Sequence, residues 1–287
     1  ASELPLSGGP GAGEGLVVVG SLEGDVIALD AATGTEKWKA KVGNEVLAAP
    51  AIGGGTVYVH SNDGRVTAFD ATTGERRWFY SVEVPVLTVR GTGPVTVGPG
   101  IVFVGNDNGN LTALSATDGG VLWSTPVAEP DGRSELERMA DVDGAVVIDN
   151  TMLFATSYKN HTIAIDGPSG QIVWDRENGG PRGLGLSNSA VVVTDPVGKV
   201  WALDKNSGAS LWQQDGLAHR NTSAPAVQGD YAVVGDLEGV VHWLRLNDGA
   251  FAARAEIGGP ITGQPVVSDG VVVVQTTEGQ LAAFALQ

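Results

Sequence analysis

The chain has 287 residues, no cysteine, and 33 acidic residues against 17 basic ones, for a formal net charge of -16. Without cysteine it has no disulfide, no thiolate metal site and no cysteine nucleophile. Its basic residues are scattered among the acidic ones and form no phosphate-neutralising stripe, which argues against nucleic acid as a partner. The longest apolar runs, such as Ala190 to Thr194 and Val271 to Val274, are far shorter than the ~20 residues of a bilayer span.

Residues 1–15 suffice for one strand. Val17-Val18-Val19 then leads through Gly24 into Asp25-Val26-Ile27-Ala28-Leu29-Asp30, and Val57-Tyr58-Val59 leads through Gly64 into Arg65 to Asp70 in the same way. Two short strand-like runs around a glycine that can take positive φ read as a hairpin. The turn position recurs at Gly24, Gly64, Gly109, Asn160, Gly198, Gly239 and Gly279. Asparagine is the side chain that best tolerates left-handed backbone. A second glycine follows ten residues later at Gly34, Gly74, Gly119, Gly170, Gly208 and Gly249, and a tryptophan four residues after that at Trp38, Trp78, Trp123, Trp174 and Trp212. A run before each hairpin, such as Ala48 to Ile52 or Ser223 to Val227, supplies another strand. Four antiparallel strands in each ~40-residue repeat predict an all-β fold, a β-propeller of about seven blades in a single domain. The blades fall near 1–43, 44–83, 92–127, 143–177, 183–215, 222–256 and 263–287. Unit six carries Ala253 where the tryptophan is due, with Trp243 on a neighbouring strand, and the seventh ends after its third strand. Closure would therefore need an upstream segment, an N-terminal blade missing from this chain.

Repetition assigns most of the unusual residues to construction. Five tryptophans at one repeat position fit indoles packed between blades with the N–H on backbone, rather than a quinone site. Asp30, Asp70, Asp166 and Asp204 precede a turn glycine and fit Asx capping rather than acid catalysis. Asn106-Asp107-Asn108-Gly109-Asn110 has the composition of a calcium loop, yet it falls on the hairpin turn. His60, His161, His219 and His242 lie in different units, which argues against a three-histidine metal site. No Gly-x-Ser-x-Gly elbow, phosphate loop or HExxH occurs, so no catalytic, cofactor or metal residue is expected.

What breaks the repeat is a better guide to function. The spacing between turn positions is 40, 45, 51, 38, 41 and 40 residues. The extra residues lie in 82–91 and 128–143, each joining the last strand of one blade to the first of the next. Such connections emerge side by side on one face. The first contains Val84-Pro85-Val86-Leu87-Thr88-Val89-Arg90-Gly91, either an apolar loop ending in arginine or a long fourth strand. The second, Arg133 to Asp143, reads as one or two helical turns followed by Asp141 and Asp143. Apolar loop residues ringed by charge suit a protein partner.

At these residues the chain resembles the BamB family of outer-membrane β-barrel assembly lipoproteins. The Val-x-Ala-Leu-Asp-x-x-Thr-Gly-x-x-x-Trp units alone point only to the wider PQQ-like repeat superfamily. Leu87 to Gly91, Glu135 to Asp143, and Val234 to Trp243 are more specific. The resemblance covers the whole chain and implies an eight-bladed propeller, lipid-anchored through an N-terminal cysteine at the periplasmic face of the outer membrane. It implies a non-enzymatic scaffold without cofactor that binds the POTRA domains of BamA and assists unfolded β-barrel proteins. Its BamA contact would fall on Leu87, Val89, Arg90, Asp141 and Asp143, with the two aspartates orienting Arg90 or pairing with a basic partner residue. Val89 stands where the family often has a larger aliphatic. The alternatives are a PQQ-dependent quinoprotein oxidoreductase and a ligand-binding propeller mouth.

Overall fold

The computed structural model of the chain describes residues 5–88, 92–129, 131–134, 137 and 139–286, and none of these is helical. Among these residues the apolar runs form seven antiparallel meanders, six of four strands and the last of three, in which each strand pairs with its neighbours in sequence. Contacts gather the chain into two compact units. One comprises residues 1–153 and 166–171, the other 154–165 and 172–287.

Blade two in the first unit shows why these residues become strands. Thr56–Ser61 is buried at every position, so both of its faces are covered rather than one alone. Its partner Arg65–Asp70 is buried at its four central residues. The fourth strand, Arg76–Ser81, buries only Trp78 fully. Each fully buried valine in such a core contributes roughly 1.5–3 kcal/mol, and Val57, Val59 and Val66 are all completely buried.

The tryptophans join successive blades. Trp38 lies against Gly74, where a Cβ would fall 2.7 Å from the indole, and Gly74 also has φ +72; both constraints demand glycine. The Trp38 indole N–H donates to the Ala71 carbonyl at 2.9 Å. Trp78 pairs likewise with Ala116, Trp123 with Gly167, Trp174 with Lys205 and Trp212 with Leu246. Each of these contacts lies within one unit. Opposite Trp38, Trp78, Trp123 and Trp212 on the third strand stands an alanine, and just past that pair the register shifts. Blade six reverses the pair, with Trp243 facing Ala253. The large residue has moved to the third strand and its small partner to the fourth. There the Trp243 N–H donates to the buried Gln228 amide oxygen at 2.8 Å, and its ring meets Phe284 edge-on at 5.1 Å.

The repeated aspartates cap turns. Asp30 Oδ1 accepts from the Ala32 and Thr33 amides, Asp70 Oδ1 from Thr72 and Thr73, Asp204 Oδ1 from Asn206 and Ser207, and Asp166 Oδ2 from Ser169. The Thr73 amide and then the Arg77 guanidinium hold the Asp70 carboxyl down at about 2. A second series stands three residues before four of the hairpin glycines. Ser21 Oγ accepts from the Glu23 and Asp25 amides, Asp195 Oδ1 from Val197 to Lys199, Asp236 Oδ1 from Glu238 and Val240, and Thr276 Oγ1 from Gln280. Both turns of the repeat are thus closed by side chains that satisfy otherwise unpaired amides.

Candidate partner-binding site

The first insertion begins where blade two ends. Its fourth strand stops at Ser81, so the alternation of Val82, Val84 and Val86 does not extend it. Instead the Val82 amide donates to the Gly64 carbonyl at 3.1 Å, and Val84 packs so close to Gly64 that a Cβ there would lie 2.7 Å away. The hairpin turn takes these two valines for itself. Beyond them Val86 is 94% exposed and Leu87 42% exposed. Val89, Arg90 and Gly91 lie outside the described residues. The chain is fastened again where the Thr92 hydroxyl lies 3.5 Å from Asn62 Oδ1 and the Gly93 carbonyl 3.0 Å from His60 Nδ1.

The second insertion leaves blade three with the Val127 and Ala128 amides both on the Gly109 carbonyl. Ser134 Oγ accepts from the Glu137 amide while the Glu137 carboxylate accepts from the Ser134 and Arg133 amides, the reciprocal bonding of a capping box. Glu135, Leu136 and Arg138 lie outside the described residues, and no helix follows among the rest. Met139, Ala140, Asp141 and Val142 are all buried instead. Ala140 packs on Gly109, Val142 overlies Gly105, and the Val142 amide donates to the Asn106 carbonyl at 3.3 Å. Burial under blade three decides the backbone of 139–142, where local propensity is too weak to compete. Met139 is part of that anchor, not of an exposed apolar patch.

The second insertion meets the chain just past the first at Gly93. A Cβ there would lie 2.9 Å from the Asp143 carbonyl oxygen and 3.2 Å from that of Val142. Beside this junction, Asp107 in the hairpin turn of blade three joins Asp141 and Asp143, with ligand-capable oxygens all within 4.8 Å of one another. Asp141 is fully buried and the other two half-buried. Burial first, then the Asp141 charge, pushes the Asp107 carboxyl up to about 7. The same causes, with Asp107 added, push Asp143 up to about 8. Three crowded carboxylates have the donors of a hard cation site, and equally those that receive a guanidinium or ammonium group.

Sequence reasoning singled out Asp141 and Asp143 for the contact and set Asp107 aside with the hairpin turn. At its place the seven aligned turns carry Leu22, Asn62, Asp107, Tyr158, Pro196, Leu237 and Thr277, so one carboxylate does stand out. Its neighbours serve the turn. Asn108 Oδ1 accepts from the Asn110 amide, and Asn106 Nδ2 donates to the Asn110 carbonyl and Thr112 Oγ1. Among the described residues no histidine joins this cluster. His161 pairs with Asp175, and His242 with Asp236.

The raised carboxyls make stability pH-dependent. An unfolded aspartate releases its proton near pH 4, whereas folded Asp107 and Asp143 hold theirs until about 7 and 8. The folded state therefore binds more protons across that window, and stability falls as pH rises through it. Asp143→Asn should raise the melting temperature at pH 8.5 by about 2–5 °C, with a smaller gain at pH 4. Thermal scans at both pH values check this, and equal shifts would overturn it.

Four-stranded ~40-residue blades joined by indole contacts, with two insertions interrupting the repeat, define a repeat β-propeller. The family model described as outer membrane protein assembly factor BamB matches residues 1–214 and 198–287. The BamB of Xanthomonas campestris pv. campestris is 60% identical over 282 residues, covering 98% of this chain and 70% of that protein. The chain belongs to the BamB family. The crystal structure of BamB from Moraxella catarrhalis matches with a TM-score of 0.94 at 28% identity, covering 99% of this chain and 86% of that one. Quinohemoprotein alcohol dehydrogenase from Comamonas testosteroni matches with a TM-score of 0.77 at 16% identity, over 96% of this chain and 63% of that one. That likeness is one of fold alone.

Proposed function

We propose that this chain is a non-enzymatic scaffold in the assembly of outer-membrane β-barrel proteins, and that it binds the periplasmic POTRA domains of BamA. Its relatives are named as outer membrane protein assembly factors. In this reading it works at the periplasmic face of the outer membrane, tethered by a lipid outside this chain, and assists unfolded barrel proteins. The contact comprises Leu87, Val89 and Arg90 on the first insertion and Asp141 and Asp143 on the second. The observation that supports it is the junction at Gly93, where the chain just past the first insertion lies against the backbone of Val142 and Asp143. Exposed Leu87 supplies apolar area there, and the acidic trio supplies charge. Buried Asp141 acts from beneath, setting the field in which a cation settles, while Asp143 lies nearer the surface.

Titrating a BamA POTRA fragment against Leu87→Glu tests the reading. Binding should weaken about thirtyfold or more, as for a hot-spot residue. The melt should stay unchanged, because the side chain is exposed. Wild-type affinity in this variant would remove the first insertion from the contact.

A further inference from the structure

We infer that His60 and Gly93 form a positioning joint that holds the two insertions in register, so that residues far apart in sequence act as one binding surface. The inference rests on the reading of these insertions as the contact face. The residue that ends, or nearly ends, the second strand of a blade normally receives the following interblade connection. In blades one, three and six it is glycine, Gly20, Gly105 or Gly235, and Val46, Val142 or Ile261 fills the space where a Cβ would stand. Blade two departs from this pattern. The strand supplies His60, 4% exposed, and the connection supplies Gly93.

The carbonyl of Gly93 can only accept, so the imidazole carries its proton on Nδ1 and donates it across 3.0 Å. Burial lowers the pKa of His60, which keeps the ring neutral and this tautomer in place. Blade five has a related bond, Thr194 Oγ1 to the Ser223 carbonyl at 3.2 Å, with no long insertion beside it. The difference lies on the far side of the peptide. The Gly93 carbonyl takes the His60 bond while its Cα faces the backbone of Val142 and Asp143, and Val142 is fixed in turn to Asn106 and Gly105 of blade three. A rigid path therefore runs from the buried strand of blade two, through one glycine, to the backbone of the acidic trio. The width of an imidazole and the absence of a side chain at residue 93 set the offset between the two insertions. Partner affinity depends on such preorganisation, because a surface that must first be assembled loses binding free energy.

The test compares His60→Leu, His60→Asn, Gly93→Ala, Thr194→Val and Leu87→Glu in POTRA titrations, thermal melts and hydrogen exchange. His60→Leu and Gly93→Ala should each weaken binding by about tenfold, with a melting shift no larger than that of Thr194→Val. Thr194→Val should bind as the wild type does. His60→Asn, whose Nδ2 falls near the place of the imidazole Nδ1, should recover most of the affinity. Without any partner, Gly93→Ala should speed amide exchange across 139–146. Wild-type binding by His60→Leu and Gly93→Ala, while Leu87→Glu loses binding, would overturn the joint and leave the contact face standing. Unchanged exchange in Gly93→Ala would overturn it whatever the partner does. Wild-type binding by Leu87→Glu would instead strike at the contact face itself.

Discussion

Trp78→Ala should lower stability by about 3–5 kcal/mol, the range for removing a large aromatic from a packed core. The indole closes the space above Gly119, where a Cβ would sit 2.6 Å from its ring, and its N–H bonds the Ala116 carbonyl at 3.0 Å. Its ring also lies 5.7 Å from that of Tyr58. Truncation therefore opens a cavity and leaves a carbonyl without its donor, which costs about 1 kcal/mol or more. Gly119→Ala attacks the same joint from the other side, through the clash and through φ +73. The two changes must then be coupled. Once Trp78 is alanine the clash is gone, and Gly119→Ala should cost less than it does in the wild type. Denaturant melts of the four proteins measure this, and strictly additive costs would show that the indole does not seat on Gly119.

Arg90→Ala should abolish capture of the BamA POTRA domains in a pull-down while leaving the thermal melt nearly unchanged. A cation at the centre of the proposed contact is the kind of residue whose loss costs most. A large fall in melting temperature would assign Arg90 to the fold instead, and undiminished capture would remove it from the contact. The same titration separates the two roles open to the aspartates. If Asp107 and Asp143 receive a basic residue of the partner, binding strips protons from carboxyls that titrate at about 7 and 8. Affinity then tightens between pH 6 and pH 8, and Asp143→Asn flattens that slope. A slope absent in the wild type would favour the role of orienting Arg90.

Much of the construction is legible in the sequence. The tryptophans and the Asp30, Asp70, Asp166 and Asp204 series stand at fixed offsets from glycines, so one blade explains all of them. The exception in blade six was visible as a misplaced tryptophan. Its reason, an exchange of large and small residues across the Trp243–Ala253 pair, needed the strand register. The series Ser21, Asp195, Asp236 and Thr276 was present in the sequence three residues before four of the glycines, but its chemical variety hid it until the bonds were seen.

The site was less legible because it is made by long-range contacts. Spacing alone marked the two insertions. It could not tell that Val84 packs down on Gly64 while Leu87 stands free, or that Met139 to Val142 are buried and not helical. Nor could it bring Asp107 to Asp141 and Asp143, or set His60 against Gly93. The sequence by itself determined the blade, its turns and the places where the repeat is interrupted, because hydrophobic period and turn chemistry are local properties. Only the tertiary structure decided which interrupting residues are anchors, which are exposed and which carboxylates share one field, because burial and charge proximity depend on neighbours distant in sequence.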